Sequence, residues 1–261
     1  MKTIKSITFL LLGIFFTLVS CTTSNEPIDP KLNNQLFGTS ATNNGGTGST
    51  GGGTSINGDY WPAAINNQWT YSRNGVAQAP TKMISINQIN GQSYYTFDNP
   101  PGGGSGASTG GVTVNVTTRL RKNIGDYFVR YDNQSFTAPT ISGTQTDFEF
   151  IILKDYLSVG QTWTSNYSQT TTYNNINFPP VVTNTSVLGT IIDKGITYSS
   201  NGVSYNDVIK VKLVQTVTSI AGNSSSENYY WFAKNIGLIR VENTVANGAT
   251  TVTVLNSYIL N

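Results

Sequence analysis

Four Asn-Gly pairs, at 74–75, 90–91, 201–202 and 247–248, constrain this chain more than any other feature. Asn and Gly tolerate positive φ, which a type I′ turn requires at both central positions, so each pair predicts a tight antiparallel hairpin. The runs between them are rich in Thr, Val, Ile and Tyr. Lys82–Ile89, Val112–Lys122, Tyr127–Tyr131, Phe148–Lys154, Val208–Ile220, Tyr229–Ala233 and Thr250–Ile259 read as strands. Val112, Val114 and Val116 alternate with Thr113, Asn115 and Thr117, the period of a half-buried strand. Beyond the first twenty residues no window carries an apolar stripe at helical spacing. The expectation is all-β: a single antiparallel domain, either a curved half-barrel or a sandwich.

The chain begins with a different signal. Lys2 and Lys5 precede an apolar run from Ile7 to Val19, too short to span a bilayer and organised like a signal peptide. It ends in Leu18-Val19-Ser20-Cys21, and Cys21 is the one cysteine of the chain. This string resembles the lipobox of bacterial lipoproteins. The resemblance implies that Cys21 receives a diacylglyceryl group, that residues 1–20 are removed, and that palmitate-type acylation of the new N-terminus makes a membrane anchor. Two or more chains hold stably, at about 0.8 kcal/mol per buried methylene. By the same analogy Thr22, where some lipoproteins carry Asp, directs the protein to the outer membrane of a Gram-negative cell; periplasmic and surface faces stay open.

Residues 21–58 read as a flexible tether. From Gly38 to Gly58 they are almost entirely Gly, Ser, Thr and Asn, which cannot bury enough apolar surface to offset ordering entropy. As a coil, the 37 residues after Cys21 span roughly 35 Å. All four Trp and all fourteen Tyr lie in 59–261, the expected β domain. The glycine-rich stretch Asp98–Gly111 reads as a long loop inside that domain. Two echoes, Trp69-Thr70 with Trp163-Thr164 and Lys122-Asn123-Ile124-Gly125 with Lys234-Asn235-Ile236-Gly237, raise the idea of a duplicated half-domain; chance repetition in an Asn- and Thr-rich chain explains them equally well.

Composition excludes several kinds of chemistry. With no His there is no Ser-His-Asp triad and no imidazole metal ligand; with one Cys there is no internal disulfide and no thiolate zinc site. No metal and no cofactor is expected. The 15 Lys+Arg include Lys2 and Lys5, so loss of the leader leaves 13 basic against 13 acidic residues. That balance gives no phosphate-neutralising surface, and no nucleic-acid partner is expected. Gly46–Gly51 fits a G-x-G-x-x-G pattern and Gly106–Gly110 a G-x-S-x-G pattern, but neither has the strand and helix that the chemistry needs. Asp147 and Glu149 are the one plausible catalytic kit. They share a strand face, and a glycosidase needs two carboxyls about 5 to 9.5 Å apart. Solvated strand-face residues explain them as well.

Two clusters are candidate binding features. If Lys122–Tyr127 is a tight hairpin, Arg119 faces Arg130 and both share a face with Arg121, a possible anion patch; the alternative is an outer face balanced by Asp126, Asp132 or Glu149. In Tyr229-Tyr230-Trp231-Phe232 one pair must enter the core, leaving Tyr229 and Trp231 as possible ligand-facing aromatics.

The opening Tyr60-Trp61-Pro62 and Asn67-Gln68-Trp69-Thr70-Tyr71, with the closing Tyr230-Trp231-Phe232-Ala233-Lys234-Asn235-Ile236-Gly237-Leu238, resemble a loose group of uncharacterised Gram-negative outer-membrane lipoproteins. Asn66 and Asn235 stand where that group often has Gly. The resemblance covers the two ends of the body and implies a curved sheet of the lipoprotein-carrier type, without catalytic residues to transfer. The expectation is therefore a non-enzymatic, outer-membrane-anchored module, tethered to the membrane through Cys21, that binds or carries a lipid, a glycan or an envelope protein. A carboxylate-based glycan-acting enzyme and a structural envelope or assembly subunit are the alternatives.

Overall fold

The computed structural model describes residues 58–101, 108–109, 112–220, 222–244 and 250–261. The leader, Cys21, nearly all of the expected tether and the fourth Asn-Gly pair lie outside them, as does most of the glycine-rich 98–111 stretch.

The described chain is all strand and turn, as expected. In chain order the strands are β1 (Gln68–Arg73), β2 (Val76–Ala77), β3 (Thr81–Ile89), β4 (Gln92–Phe97), β5 (Ser108–Thr109), β6 (Val112–Asn115), β7 (Thr118–Asn123), β8 (Asp126–Tyr131), β9 (Gln134–Thr137), β10 (Ser142–Gln145), β11 (Phe148–Lys154), β12 (Thr162–Tyr173), β13 (Val181–Ser200), β14 (Val203–Ser219), β15 (Gly222–Ala233), β16 (Gly237–Thr244) and β17 (Thr250–Ile259). The three Asn-Gly pairs within the described residues make the expected turns. Asn74, Asn90 and Asn201 have φ of 46°, 50° and 50°, and Gly75, Gly91 and Gly202 follow at 81°, 76° and 75°. Asn66 and Asn235 are also left-handed, at 73° and 59°.

Every pairing is antiparallel, and the ladder returns to its start. From β1 it runs through β3, β4, β7, β8 and β11 on one side. On the other side β17 leads through β16, β15, β14 and β13 to β12 and β10. The two arms meet because β10 and β11 are one strand bent at Thr146-Asp147. Two neighbouring strands bend alongside it, β6 into β7 at Val116-Thr117 and β8 into β9 at Asp132-Asn133. Their far halves pair as β6–β9 and β9–β10. Strands that change sheet at a bend are how two crossed sheets close around one core. The result is the strongly curved antiparallel sheet expected from the sequence.

Beyond the bend, β11 and β12 part, and side chains bridge the seam. The Trp163 indole N–H donates to the Ile151 carbonyl at 3.1 Å, and the Ile151 amide donates to Ser165 Oγ at 3.1 Å. Trp163 lies flat across Gly189 on β13, where a Cβ would sit 2.2 Å from the ring. Only glycine leaves room for that approach.

The interior is packed largely with aromatics. Trp61, Trp69, Tyr71, Tyr127 and Phe232 are almost fully buried, and Trp61 stands 5.8 Å from both Phe97 and Phe232. Buried polar tips reach partners: the Trp69 indole donates to the Ile236 carbonyl at 2.7 Å, and the Tyr71 hydroxyl to the Leu238 carbonyl at 3.0 Å. These bonds tie β1 to the Lys234–Gly237 turn. That turn has three residues between Ala233 and Gly237, whereas Lys122–Gly125 makes a two-residue turn at Ile124-Gly125. One string therefore builds two different geometries, which weighs against the duplication idea.

Two predictions follow from this core. Burial raises the hydroxyls of Tyr60, Tyr131 and Tyr167 from the ordinary value near 10 to about 12, with the Asp207 and Asp155 charges adding at Tyr60. Tyr71, Tyr127 and Tyr230 are also raised, chiefly by burial. A raised phenol is held neutral by the fold, so its contribution is complete below pH 10 and is lost as pH climbs through 12. Absorbance at 295 nm should therefore show a late tyrosinate wave coincident with loss of near-ultraviolet dichroism. Ionisation of every phenol near 10 with the fold intact would contradict this packing. Gly189→Ala should cost about 1–3 kcal/mol by overpacking against Trp163, read as a lower denaturant midpoint and partly relieved by Trp163→Leu.

Candidate functional site

The β7–β8 hairpin sets the register expected from sequence: Lys122 faces Tyr127 and Arg119 faces Arg130. Arg119, Arg121 and Arg130 share its outer face, but none is open to an anion. Arg119 Nε donates to Asp132 at 2.7 Å, Arg130 Nε donates to the other Asp132 oxygen at 3.1 Å, and Arg130 reaches Asp147 at 2.5 Å. Arg121 pairs with Glu149, and the Tyr94 hydroxyl donates to the same carboxylate at 2.6 Å. Burial, then that bond to Glu149, raises the Tyr94 phenol. Three guanidiniums thus meet three carboxylates, and the expected anion patch is corrected to an internally balanced network. Of the acids considered as partners, Asp132 and Glu149 serve; Asp126 pairs instead with Lys154 at 2.8 Å.

The position of this network explains it. Asp132 and Asp147 occupy two of the three strand bends. At the bends, side chains and out-of-register backbone groups take over from the regular ladder. The Asp132 amide donates to the Thr117 carbonyl at 3.0 Å, and the Asp147 amide to Asn133 Oδ1 at 2.8 Å. The arginines therefore clamp the corner where the strands change sheet. Arg119 extends the clamp to Asn87 Oδ1 at 2.7 Å. Asp147 and Glu149, the candidate catalytic pair, do lie on one face, and both are members of this clamp.

The second candidate cluster lies on the outer face of β14–β16. As expected, the β15 aromatics divide: Phe232 enters the core with Tyr230 stacked 6.3 Å away, and Tyr229 and Trp231 turn outward. Trp231 is nevertheless only 4% exposed, because cations cover it. Lys210 Nζ stands 4.9 Å from its ring and 5.1 Å from that of Tyr229, while the Arg240 guanidinium is 5.5 Å from Trp231. Tyr198 flanks Trp231 at 5.7 Å. Glu227 accepts from the Tyr229 hydroxyl at 2.6 Å and pairs with Lys212; the bond from Lys212 lowers its carboxyl below the usual range. Arg240 pairs with Glu242. Lys210 lies against the two rings, and the β13–β14 register sets Asp193 opposite it, so this face carries a cation stacked on aromatic quadrupoles. Sequence reasoning found the two aromatics; it missed Lys210, Lys212 and Arg240, which the register sets opposite Trp231 or Tyr229.

No family model matches this chain, and no curated protein is significantly similar to it. Two crystal structures are similar in shape. One is a candidate lipoprotein of Parabacteroides distasonis, at 12% identity and a TM-score of 0.47. The other is a candidate exported protein of Bacteroides fragilis with a YmcC-like fold, at 12% identity and a TM-score of 0.45. Each match covers 77% of this chain and 99% of the other.

The clamp makes a definite prediction. Asp132→Ala leaves Arg119 and Arg130 opposed across the ladder without their shared carboxylate. It should cost about 1.5–3 kcal/mol, the range for hydrogen bonds to charged groups, and added salt should restore part of the loss by screening the two like charges. Unchanged thermal stability at low salt would show that the network does not hold the bend.

Proposed function

We propose that this chain is an envelope lipoprotein whose β body binds a partner and does not turn over a substrate. In this reading residues 1–20 are removed, Cys21 is acylated, residues 21–58 are the tether, and the outer membrane is the destination. The anchor rests on the sequence: the one cysteine stands directly after Leu18-Val19-Ser20. One structural observation carries the choice of binding over catalysis. The acids that could have formed a glycosidase pair, Asp147 and Glu149, are each engaged by an arginine of the corner clamp, so neither carboxyl is presented to a sugar. A glycosidase needs both carboxyls free to flank the scissile bond.

The outer face of β14–β16 is the part of the body best suited to a partner. Lys210 supplies a cation stacked on aromatic rings, and Tyr229 supplies a half-buried ring beside it. Such a face suits an acidic segment of an envelope protein, which offers carboxylates to Lys210 and apolar surface to the ring.

The anchor is tested by labelling cells with radioactive palmitate. The mature protein should carry the label, run at the mass of residues 21–261 plus lipid, and sediment with membranes; Cys21→Ala should abolish both label and sedimentation. An unlabelled protein that retains its leader would contradict the reading.

A further inference from the structure

The geometry points to an internal sugar-binding band inside the barrel, formed by carboxamides and hydroxyls of β9, β10, β12 and β13. It is independent of the anchor and of the outer face. Register places Gln134 opposite Gln145, Gln145 opposite Thr171, and Gln169 opposite Thr183. Directly opposed residues share a sheet face, and alternation brings Thr185 onto the same one. Burial identifies it as the inner face: Gln134 is 2% exposed, Gln169 7%, Thr171 5% and Thr185 4%.

The protein itself satisfies only part of this band, where the Thr185 hydroxyl shares a side-chain hydrogen bond with Tyr167. Gln145 Nε2 donates to Thr171 Oγ1 at 2.9 Å, and Thr183 Oγ1 makes a long bond to the Gln169 carbonyl at 3.5 Å. Both ends of the Gln134 carboxamide, Oε1 of Gln145 and Nε2 of Gln169 have no protein partner. Two strands along the same sheet, past Val217 of β14, Ser224 Oγ on β15 is also unpartnered. Buried carboxamides are costly unless hydrogen-bonded, and Leu or Met would fill the same space without that cost. The fold does not need amides here, so a guest with its own donors and acceptors accounts for them.

The layers on either side narrow the class of guest. Towards the rim, Phe136 and Tyr173 meet edge-to-face at 6.1 Å, with Phe178 5.7 Å from Tyr173. Towards the core, Phe148 stacks on Tyr167 at 4.4 Å and on Tyr131 at 4.9 Å. Aromatic surfaces above and below a ring of amides and hydroxyls suit a molecule with apolar C–H faces and a polar equator. An uncharged pyranose has that shape. The aromatic rim is the barrier such a guest must pass.

The experiment uses the full mature chain, labelled with ¹⁵N at glutamine side chains. Glucose, galactose, mannose and N-acetylglucosamine are added, each as the free sugar and as its methyl β-glycoside. At least one is expected to shift the side-chain amide resonances of Gln134, Gln145 and Gln169 together. Gln134→Met, which keeps the shape and removes the amide, should weaken that binding at least about tenfold. Asn184→Ala, on the outer side of β13, should leave it unchanged. Binding of both forms would identify the ring alone as the ligand, and binding of the glycoside only would identify a glycan end. If none of the sugars moves these resonances, or if the Met variant binds as well as the parent, the inference is overturned. Should Gln134→Met fail to fold, Gln169→Met serves as the second variant.

Discussion

The body depends on one constraint: an antiparallel ladder that must meet itself. A meander of strands leaves two raw edges unless its first and last strands pair, and exposed edges recruit other chains. Here β1 pairs with β17 along six positions, from Gln68 with Ile259 to Arg73 with Thr253. The register slips once, between Thr70 and Tyr71. Closure on that side obliges the sheet to turn a corner on the other. The three bent strands supply that corner, and an ion network stands at it. The arginines that looked like a ligand site are therefore accounted for by topology. A sharp bend interrupts the ladder, so its stability depends on side chains, and bidentate, always-charged Arg suits that role.

The same geometry explains where large residues go. Crossed sheets enclose a thick interior at one end, and the chain fills it with Trp61, Trp69, Tyr127 and Phe232. Trp and Tyr bring polar tips, and most of these reach a backbone carbonyl or a side chain across the core. The tyrosine-rich composition thus has a price at alkaline pH and a benefit in cross-strand ties. At the other end the inner layer changes to Gln and Thr. Hydrophobic closure alone does not demand that change.

Much of the strand framework was legible because local chemistry and global fold agree. Phe148–Lys154 and Thr250–Ile259 match β11 and β17 residue for residue, and the Asn-Gly turns fix the hairpins they open. Two long strands, β12 and β13, carry no such local signal. Their sequences carry Asn166, Asn184 and Gly189, residues with poor intrinsic strand preference, and their stability comes from pairing on both sides. The bends were equally hidden. Val116-Thr117 looks like strand, and nothing local marks Asp132 or Asp147 as corner residues. At the candidate sites, alternation sorted the β15 aromatics correctly because period two is a local property. It could not show that Lys210 and Arg240 would cover Trp231, since that contact depends on which strands become neighbours. The arginine register followed from a two-residue turn; its carboxylate partners came from the bend.

Native-state hydrogen exchange tests the closed ladder most directly. If β1–β17 pairing closes the barrel, the amides of Tyr71 and Leu255 exchange only through global unfolding, with the same denaturant dependence as Val211 and Leu213 on β14. If those β1 and β17 amides exchange early, through a local opening that leaves β14 protected, the barrel is not closed there and the account of its corner falls with it.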